Sequence, residues 1–245
     1  MILNFIFKNL SMLDQNYQVE VDKILSQLPR QRQTLFFSAT MTKQVKKLQR
    51  AALQNPVMVQ VSHKNKAVDN LTQNYIFVPN KDKTSLLVWL LNENNGKSVI
   101  VFCNQCNTCA ELNATLRVLG MESFAMFGKG MTQDRRLEVL NKFKSKKAQI
   151  LIATDVAARG LDISHVDMVI NFDLPDNKKT YLHRVGRTAR AGRSGLAVNV
   201  VTQYDVITFQ KLEAYIKIRM LAYWLSLSFI PNEWYQWYLP TVCYF

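Results

Sequence analysis

From Gln73 onward the chain alternates short, β-rich apolar runs with stretches of helical spacing, and this limits the fold more than any other feature. The runs are QNYIFVP, SVIVFCN, ESFAMF, QILIAT, MVINFD and GLAVNVVT. Between them lie stretches such as DKTSLLVWLLNEN, CNTCAELNATLRVLG and TQDRRLEVLNKFK, whose apolar residues recur at helical spacing. Runs that are apolar almost throughout belong to strands covered on both faces. Their alternation with helices predicts an α/β fold, a parallel sheet with helices on both faces. Ligands on such sheets collect at the carboxyl ends of the strands, where the loops emerge.

Residues 18–61 repeat the pattern on a smaller scale. A helix, QVEVDKILSQL, leads through Pro29 into a strand, QTLFFSAT; a basic helix, TKQVKKLQRAAL, then leads through Asn55-Pro56 to VMVQV. Two strands are too few to close an independent sheet. Residues 12–61 therefore read as the end of a domain whose beginning is absent. Residues 62–70, SHKNKAVDN, are polar and read as an interdomain linker, and residues 71–217 as the main domain. Residues 1–11 and 218–245 are aromatic-rich without clear periodicity, and Trp224, Trp234 and Trp237 all fall in the second stretch. Both read as sequence not shaped by this fold, as a shortened product would carry. An aromatic tail that binds a partner or membrane is the other reading.

The formal net charge of +13 points to a polyanionic partner, because each phosphate neutralised releases counterions. Cys103, Cys106 and Cys109 form C-x-x-C-x-x-C, but zinc and iron–sulfur sites need four ligands, so packing is the expectation and no metal is assigned. Nothing suggests a disulfide framework, which makes a reducing compartment the default. The longest apolar stretch, Ile218 to Ile230, is interrupted by Arg219 and serines and is too short to span a bilayer. MILNFIF lacks the basic residues and cleavage site of a signal peptide.

Three motifs carry the chemistry. In His183-Arg184-Val185-Gly186-Arg187-Thr188-Ala189-Arg190, arginines recur three apart, which on a helix places them on one side. Guanidinium forks in a row suit phosphate oxygens, which they grip bidentately. After the run QILIAT comes Thr154-Asp155-Val156-Ala157-Ala158-Arg159-Gly160-Leu161-Asp162. There Thr154 offers a hydroxyl, Gly160 permits close backbone approach and Asp162 can accept from a ribose hydroxyl. An ordinary strand-to-loop turn with an Asp–Arg pair is the plainer reading. Ser38-Ala39-Thr40 ends the run LFFSAT, where small hydroxyls can couple one element to another or merely cap the next helix at Thr42.

Taken in order, Ser-Ala-Thr, VIVFCN, Gln133-x-x-Arg136, ATDVAARGLD and HRVGRTARAGR resemble successive motifs of the DEAD-box RNA helicases, over about residues 12–216. The resemblance implies two RecA-like domains closing on ATP with magnesium and on single-stranded RNA. This chain would hold the helicase C-terminal domain, preceded by a remnant of the first. It implies that Arg187 and Arg190 approach the γ-phosphate as arginine fingers, with Gly160 and Asp162 at the nucleotide and His183 linked to the first domain's catalytic acid. Asn104, Gln133, Arg136, Thr154 and Arg159 would lie along the RNA, contacting mainly its backbone. Ser38 and Thr40 would couple hydrolysis to strand separation. KLQRAALQNPV, LNKFK and VTQYDV further resemble the eukaryotic members that mature ribosomal RNA, which implies the nucleus, specifically the nucleolus, pre-ribosomal particles as partners, and a monomer with no membrane role.

The departures are as informative. The chain contains no G-x-x-x-x-G-K-[ST] loop and no Asp-Glu-Ala-Asp, so the phosphate cradle and magnesium carboxylate of the family are missing. Phe127-Gly128 stands where the family has a histidine before the glycine. The expectation is a truncated helicase, inactive alone. The competing readings are an RNA-binding fragment without catalysis and a product with no function.

Overall fold

The computed structural model describes residues 3–8, 18–29, 32–37, 53, 55–59, 70–128, 130–158, 163, 166–189 and 192–223. Contacts divide the chain into two compact units, residues 1–63 and 64–245.

In the first unit β1 (Leu3–Lys8) and β2 (Arg32–Phe37) pair in parallel, with α1 (Gln18–Gln27) between them. Parallel neighbours need a crossover, and the helix supplies it. Residues 3–8 thus form a strand although no periodicity announced one. VMVQV was expected to be a strand, yet residues 55–59 carry no strand pairing, and Val57, Met58 and Val59 are exposed. A strand needs a neighbour for its N–H and C=O groups, and the described sheet of this unit holds only β1 and β2. The basic helix and the linker lie outside the described residues, Leu53 and Asn70 excepted.

The second unit is one seven-stranded sheet. Its elements in chain order are β3 (Leu71–Phe77), α2 (Lys83–Glu93), β4 (Val99–Cys103), α3 (Cys106–Val118), β5 (Ser123–Met126), α4 (Gln133–Lys144), β6 (Ile150–Thr154) and α5 (Asp155–Ala158). They continue with β7 (Met168–Asn171), α6 (Lys178–Val185), β8 (Gly195–Val201), α7 (Val206–Ile216) and β9 (Leu221–Ala222). The spatial order is β5-β6-β4-β7-β8-β3-β9, every pair parallel. All six runs read as strands form strands.

The two faces follow from strand alternation. Val99, Val101 and Cys103 face a cluster built with Leu86, Leu87 and Leu90 of α2 and Cys109, Leu112 and Leu116 of α3. Ile100 and Phe102 face the opposite side, with Val139, Leu140 and Phe143 of α4. Farther along that side Tyr181 and Val185 of α6 and Phe209, Leu212 and Ile216 of α7 cover β8. Cys103 and Cys109 are fully buried and free, and the hydrogen bond between them, with burial, pushes the Cys103 thiol up. The spacing of Cys109, Leu112 and Leu116 is that of a core-facing helix stripe.

Past residue 217 the chain still belongs to the sheet: β9 pairs with β3, and Tyr223 N–H donates to Tyr75 O at 2.8 Å. Trp224, Trp234 and Trp237 lie outside the described residues.

Candidate nucleotide and RNA face

From β4 the chain runs to β5 and back to β6, then crosses to β7 on the other side of β4. The carboxyl ends of β6, β4 and β7 therefore meet at the point where the winding reverses, the place where such sheets bind ligands. Each of these strands delivers a polar residue there: Asp155 after β6, Asn104 after β4, and Asn171 and Asp173 at the end of β7.

Arg184 of α6 ties these ends together. Its guanidinium donates twice to Asp155, at 2.7 and 2.6 Å, and to Asn104 Oδ1 at 2.8 Å. It also donates to Asp173 O at 2.6 Å and to Asn171 Oδ1 at 3.3 Å, and lies 5.2 Å from the Phe102 ring centroid. Only 1% of Arg184 is exposed. A buried guanidinium is tolerable because its donors are matched by a bidentate carboxylate and neutral acceptors. Asp173 in turn accepts from Lys83 Nζ at 2.7 Å and Asn104 N–H at 3.0 Å. Lys83, 8% exposed, lies 4.3 Å from the Phe172 ring centroid. Arg184 was read only as the first of the arginine row and Asp155 only as part of a strand-to-loop turn. Spacing singled out neither Asp173 nor Lys83, the latter's nearest signal being a lysine at the start of an apolar helix.

The expected arginine row along one helix does not form. Helix α6 stops at Val185 with Gly186 as its C-cap, and residues 186–188 turn through bonds from Gly186 N to Leu182 O, Arg187 N to Arg184 O and Thr188 N to Val185 O. Glycine disfavours helix continuation; beyond it Ala189 takes φ 54°, and Thr188 Oγ1 donates to Val166 O at 2.6 Å. The turn packs against Gly195, where an added Cβ would stand 2.3 Å from Thr188 Oγ1 and 2.5 Å from Ala189 N. Arg184 is thereby buried on the helix, while Arg187 sits on the turn. His183 and Arg187 border a shallow depression with Phe102, Asp155, Ala158, Thr180 and Arg184. These donors suit the phosphate end of a nucleotide. They do not suit magnesium: among the described residues no three His, Cys, Asp or Glu stand together as a metal site.

A second group lies at the ends of β5 and β6. Thr154 is 5% exposed, and its hydroxyl has no hydrogen-bond partner among the described residues; the same holds for Arg136 Nε. Arg136 donates to Gly128 O and, at 3.4 Å, to Gln133 Oε1. Thr132 caps α4, accepting from Arg135 N–H at 3.4 Å. Gly128 meets Val156, since a Cβ there would come 3.0 Å from Val156 Cγ1. Asn104 faces inward with its side chain, donating to Leu174 O at 2.9 Å and accepting from Arg184. The structure thus gathers Asn104, Thr154, His183 and Arg187 on one edge of the sheet, with Gln133 and Arg136 beside Gly128 at the same edge. Arg159, Gly160, Asp162, Arg190, Ser38 and Thr40 lie outside the described residues.

A parallel sheet with a basic turn at its reversal point is the architecture of a helicase C-terminal unit, and residues 82–192 match the family described as the helicase conserved C-terminal domain. The chain is 60% identical over 202 residues to a putative ATP-dependent RNA helicase of Caenorhabditis elegans, covering 82% of this chain and 41% of that protein. It is 50% identical over 212 residues to the ATP-dependent rRNA helicase rrp3 of Schizosaccharomyces pombe, covering 86% and 45%. The crystal structure of the Escherichia coli DEAD-box protein SrmB, bound to regulator of ribonuclease activity A, superposes with a TM-score of 0.60 at 38% identity, covering 63% of this chain and 91% of that one. The chain belongs to the DEAD-box RNA helicase family. It spans about two fifths of the length of the curated relatives it matches.

Proposed function

We propose that this chain supplies the second-domain half of an ATP-dependent RNA helicase that acts on ribosomal RNA precursors in the nucleus, specifically the nucleolus. The observation that carries the reading is the depression at the ends of β4 and β6, where His183 and Arg187 stand beside a buried Arg184–Asp155 pair. Arg187, with Arg190, approaches the γ-phosphate, and His183 links the two domains. Thr154, Arg136, Gln133 and Arg159 face the RNA backbone, and Asn104, its side chain turned inward to Leu174 O and Arg184, borders the same path. The buried Thr154 hydroxyl and Arg136 Nε, polar atoms with no partner among the described residues, favour a ligand supplying acceptors and donors there. Gly160 and Asp162 contact the nucleotide, and Ser38 and Thr40 couple hydrolysis to strand separation. Residues 12–61 act as part of the first domain, 62–70 as linker and 71–217 as the body of the second. ATP with magnesium is the nucleotide, its metal held by residues this chain does not contain. The chain acts as a monomer on pre-ribosomal particles.

The 245-residue chain by itself lacks the phosphate loop and acidic motif, so it binds RNA weakly without hydrolysing ATP. Titration with a labelled single-stranded RNA checks this. The expected result is affinity falling steeply with salt, about 0.7 power of salt per phosphate contact for a single strand, together with background ATPase. Absence of RNA binding at low salt overturns the reading for this chain.

A further inference from the structure

Two asparagines interrupt the otherwise apolar face beneath α6. Asn171 of β7 and Asn199 of β8 sit opposite each other in register and are fully buried. A buried amide is costly unless its donors and acceptors are matched, and here they form one directed chain. Arg184 Nη1 donates to Asn171 Oδ1 at 3.3 Å, and Asn171 Nδ2 donates to Asn199 Oδ1 at 2.8 Å. Asn199 Nδ2 donates to Tyr181 Oη at 3.3 Å and also to Asn74 O at 2.9 Å. Tyr181 Oη donates to Gln73 Oε1 at 2.8 Å. Every link points the same way, and the permanently charged guanidinium at its head sets that direction. The Met220 thioether closes over the far end, 3.2 Å from Asn199 Nδ2.

The chain starts on α6, returns to it at Tyr181 and ends on Gln73 of β3. Arg184 and Tyr181 are three residues apart on α6 and so share a face; the links between them pass through the sheet below. Helix α6 has 8 residues, too few to hold a fixed orientation without tertiary contacts. Apolar contacts with Tyr181 and Val185 tolerate rotation and sliding, whereas two directional anchors on one buried circuit allow a single rotation. The turn carrying Arg187 follows directly from the C-terminal end of α6.

We propose that Asn171, Asn199, Tyr181 and Gln73 form a buried clamp that fixes the rotation of α6 and thereby positions His183 and Arg187. They are positioning residues, distinct from the groups that meet ligand, and the inference rests on the phosphate-facing role proposed above for Arg187. Burial raises the Tyr181 phenol above its usual range, so the hydroxyl stays a donor at every pH at which such a protein works.

The test has two arms. In the 245-residue chain, Asn199→Leu or the milder Tyr181→Phe should speed amide exchange in residues 178–185 by about tenfold relative to residues 106–118. Asn171→Asp should loosen α6 likewise, because a carboxylate cannot donate to Asn199 Oδ1, and flipping the Asn199 amide to meet it would turn that oxygen toward Asn74 O. Uniform loosening of both helices, no change in either, or an Asn171→Asp variant that exchanges like the unsubstituted chain overturns the clamp. In a two-domain protein, with a phosphate-loop half placed ahead of this chain, Tyr181→Phe should lower kcat about tenfold or more while KM for ATP stays within about twofold. Unchanged kcat, or a rise in KM alone, overturns the positioning role. A two-domain protein that hydrolyses no ATP before any substitution sinks the helicase reading and leaves the exchange result standing.

Discussion

Replacing Arg184 by alanine removes the cation that joins three strand ends. Its guanidinium is 1% exposed and makes two bonds to Asp155, at 2.7 and 2.6 Å, with further bonds to Asn104, Asn171 and Asp173 O. Removing one partner of a buried ion pair costs about 3–5 kcal/mol, because the other charge is left uncompensated. The Asp155 side chain retains 23% exposure, so water recovers part of its solvation and places the cost near the lower end of that range. Orphaned acceptors on Asn104 and Asn171, and packing lost over Phe102, raise it again. The expected total is about 3–4 kcal/mol, or a Tm drop of roughly 8–12 °C for a domain of this size. Arg184→Lys keeps the charge but cannot make the bidentate contact, and should cost about 2 kcal/mol. Urea unfolding followed by circular dichroism measures both. A cost below about 1 kcal/mol for Arg184→Ala, with an unchanged m-value, would refute the view that this arginine is a structural keystone.

Gly195→Ala should cost about 2 kcal/mol or more in the same assay, because its Cβ would meet Ala189 N at 2.5 Å as well as Thr188 Oγ1; a cost below about 0.5 kcal/mol would mean that the turn carrying Arg187 yields freely. Ser98→Ala should weaken the chain most where Asp167 is ionised. Asp167 accepts from Ser98 Oγ at 2.7 Å and Ser98 N–H at 2.8 Å, and these bonds hold its carboxyl below the usual range. A depressed carboxylate contributes stability above its unfolded pKa of about 3.9 that is lost as pH falls through the folded value. The expected loss is at most about 1 kcal/mol at neutral pH, because the group is largely exposed and screened. It should shrink in strong acid to what the Asp167 N–H bond to Ser98 Oγ at 3.1 Å contributes, and a loss constant across pH unfolding curves would contradict this assignment.

The sheet was legible because its strands are covered on both faces, so that VIVFC, ILIA and MVI each stand out as apolar runs. The helices were legible from stripes such as Leu86, Leu87, Leu90 and Leu91. What spacing could not reveal was where α6 ends. Three arginines at intervals of three suit a helix, but α6 stops at Val185, so Arg184 is buried on the helix while Arg187 stands on the turn beyond it. Nor could spacing reveal the Asn171–Asn199 pair. A polar residue inside a strand reads locally as a defect, and only sheet register brings two such residues face to face. Leu3–Lys8 escaped notice because LNFIFK, with polar residues at Asn4 and Lys8, shows neither alternation nor an unbroken apolar run, and only its pairing with Arg32–Phe37 marks it as a strand.

The central claim is that the basic turn after α6 completes an ATP site shared with a phosphate-loop domain. The most direct measurement is RNA-stimulated ATP hydrolysis by a protein joining such a domain to this chain, with Arg187→Ala and Arg190→Ala alongside. The account predicts turnover that depends on RNA and falls by about a thousandfold in either variant, as loss of an arginine finger does. Turnover that either substitution leaves unchanged would contradict it.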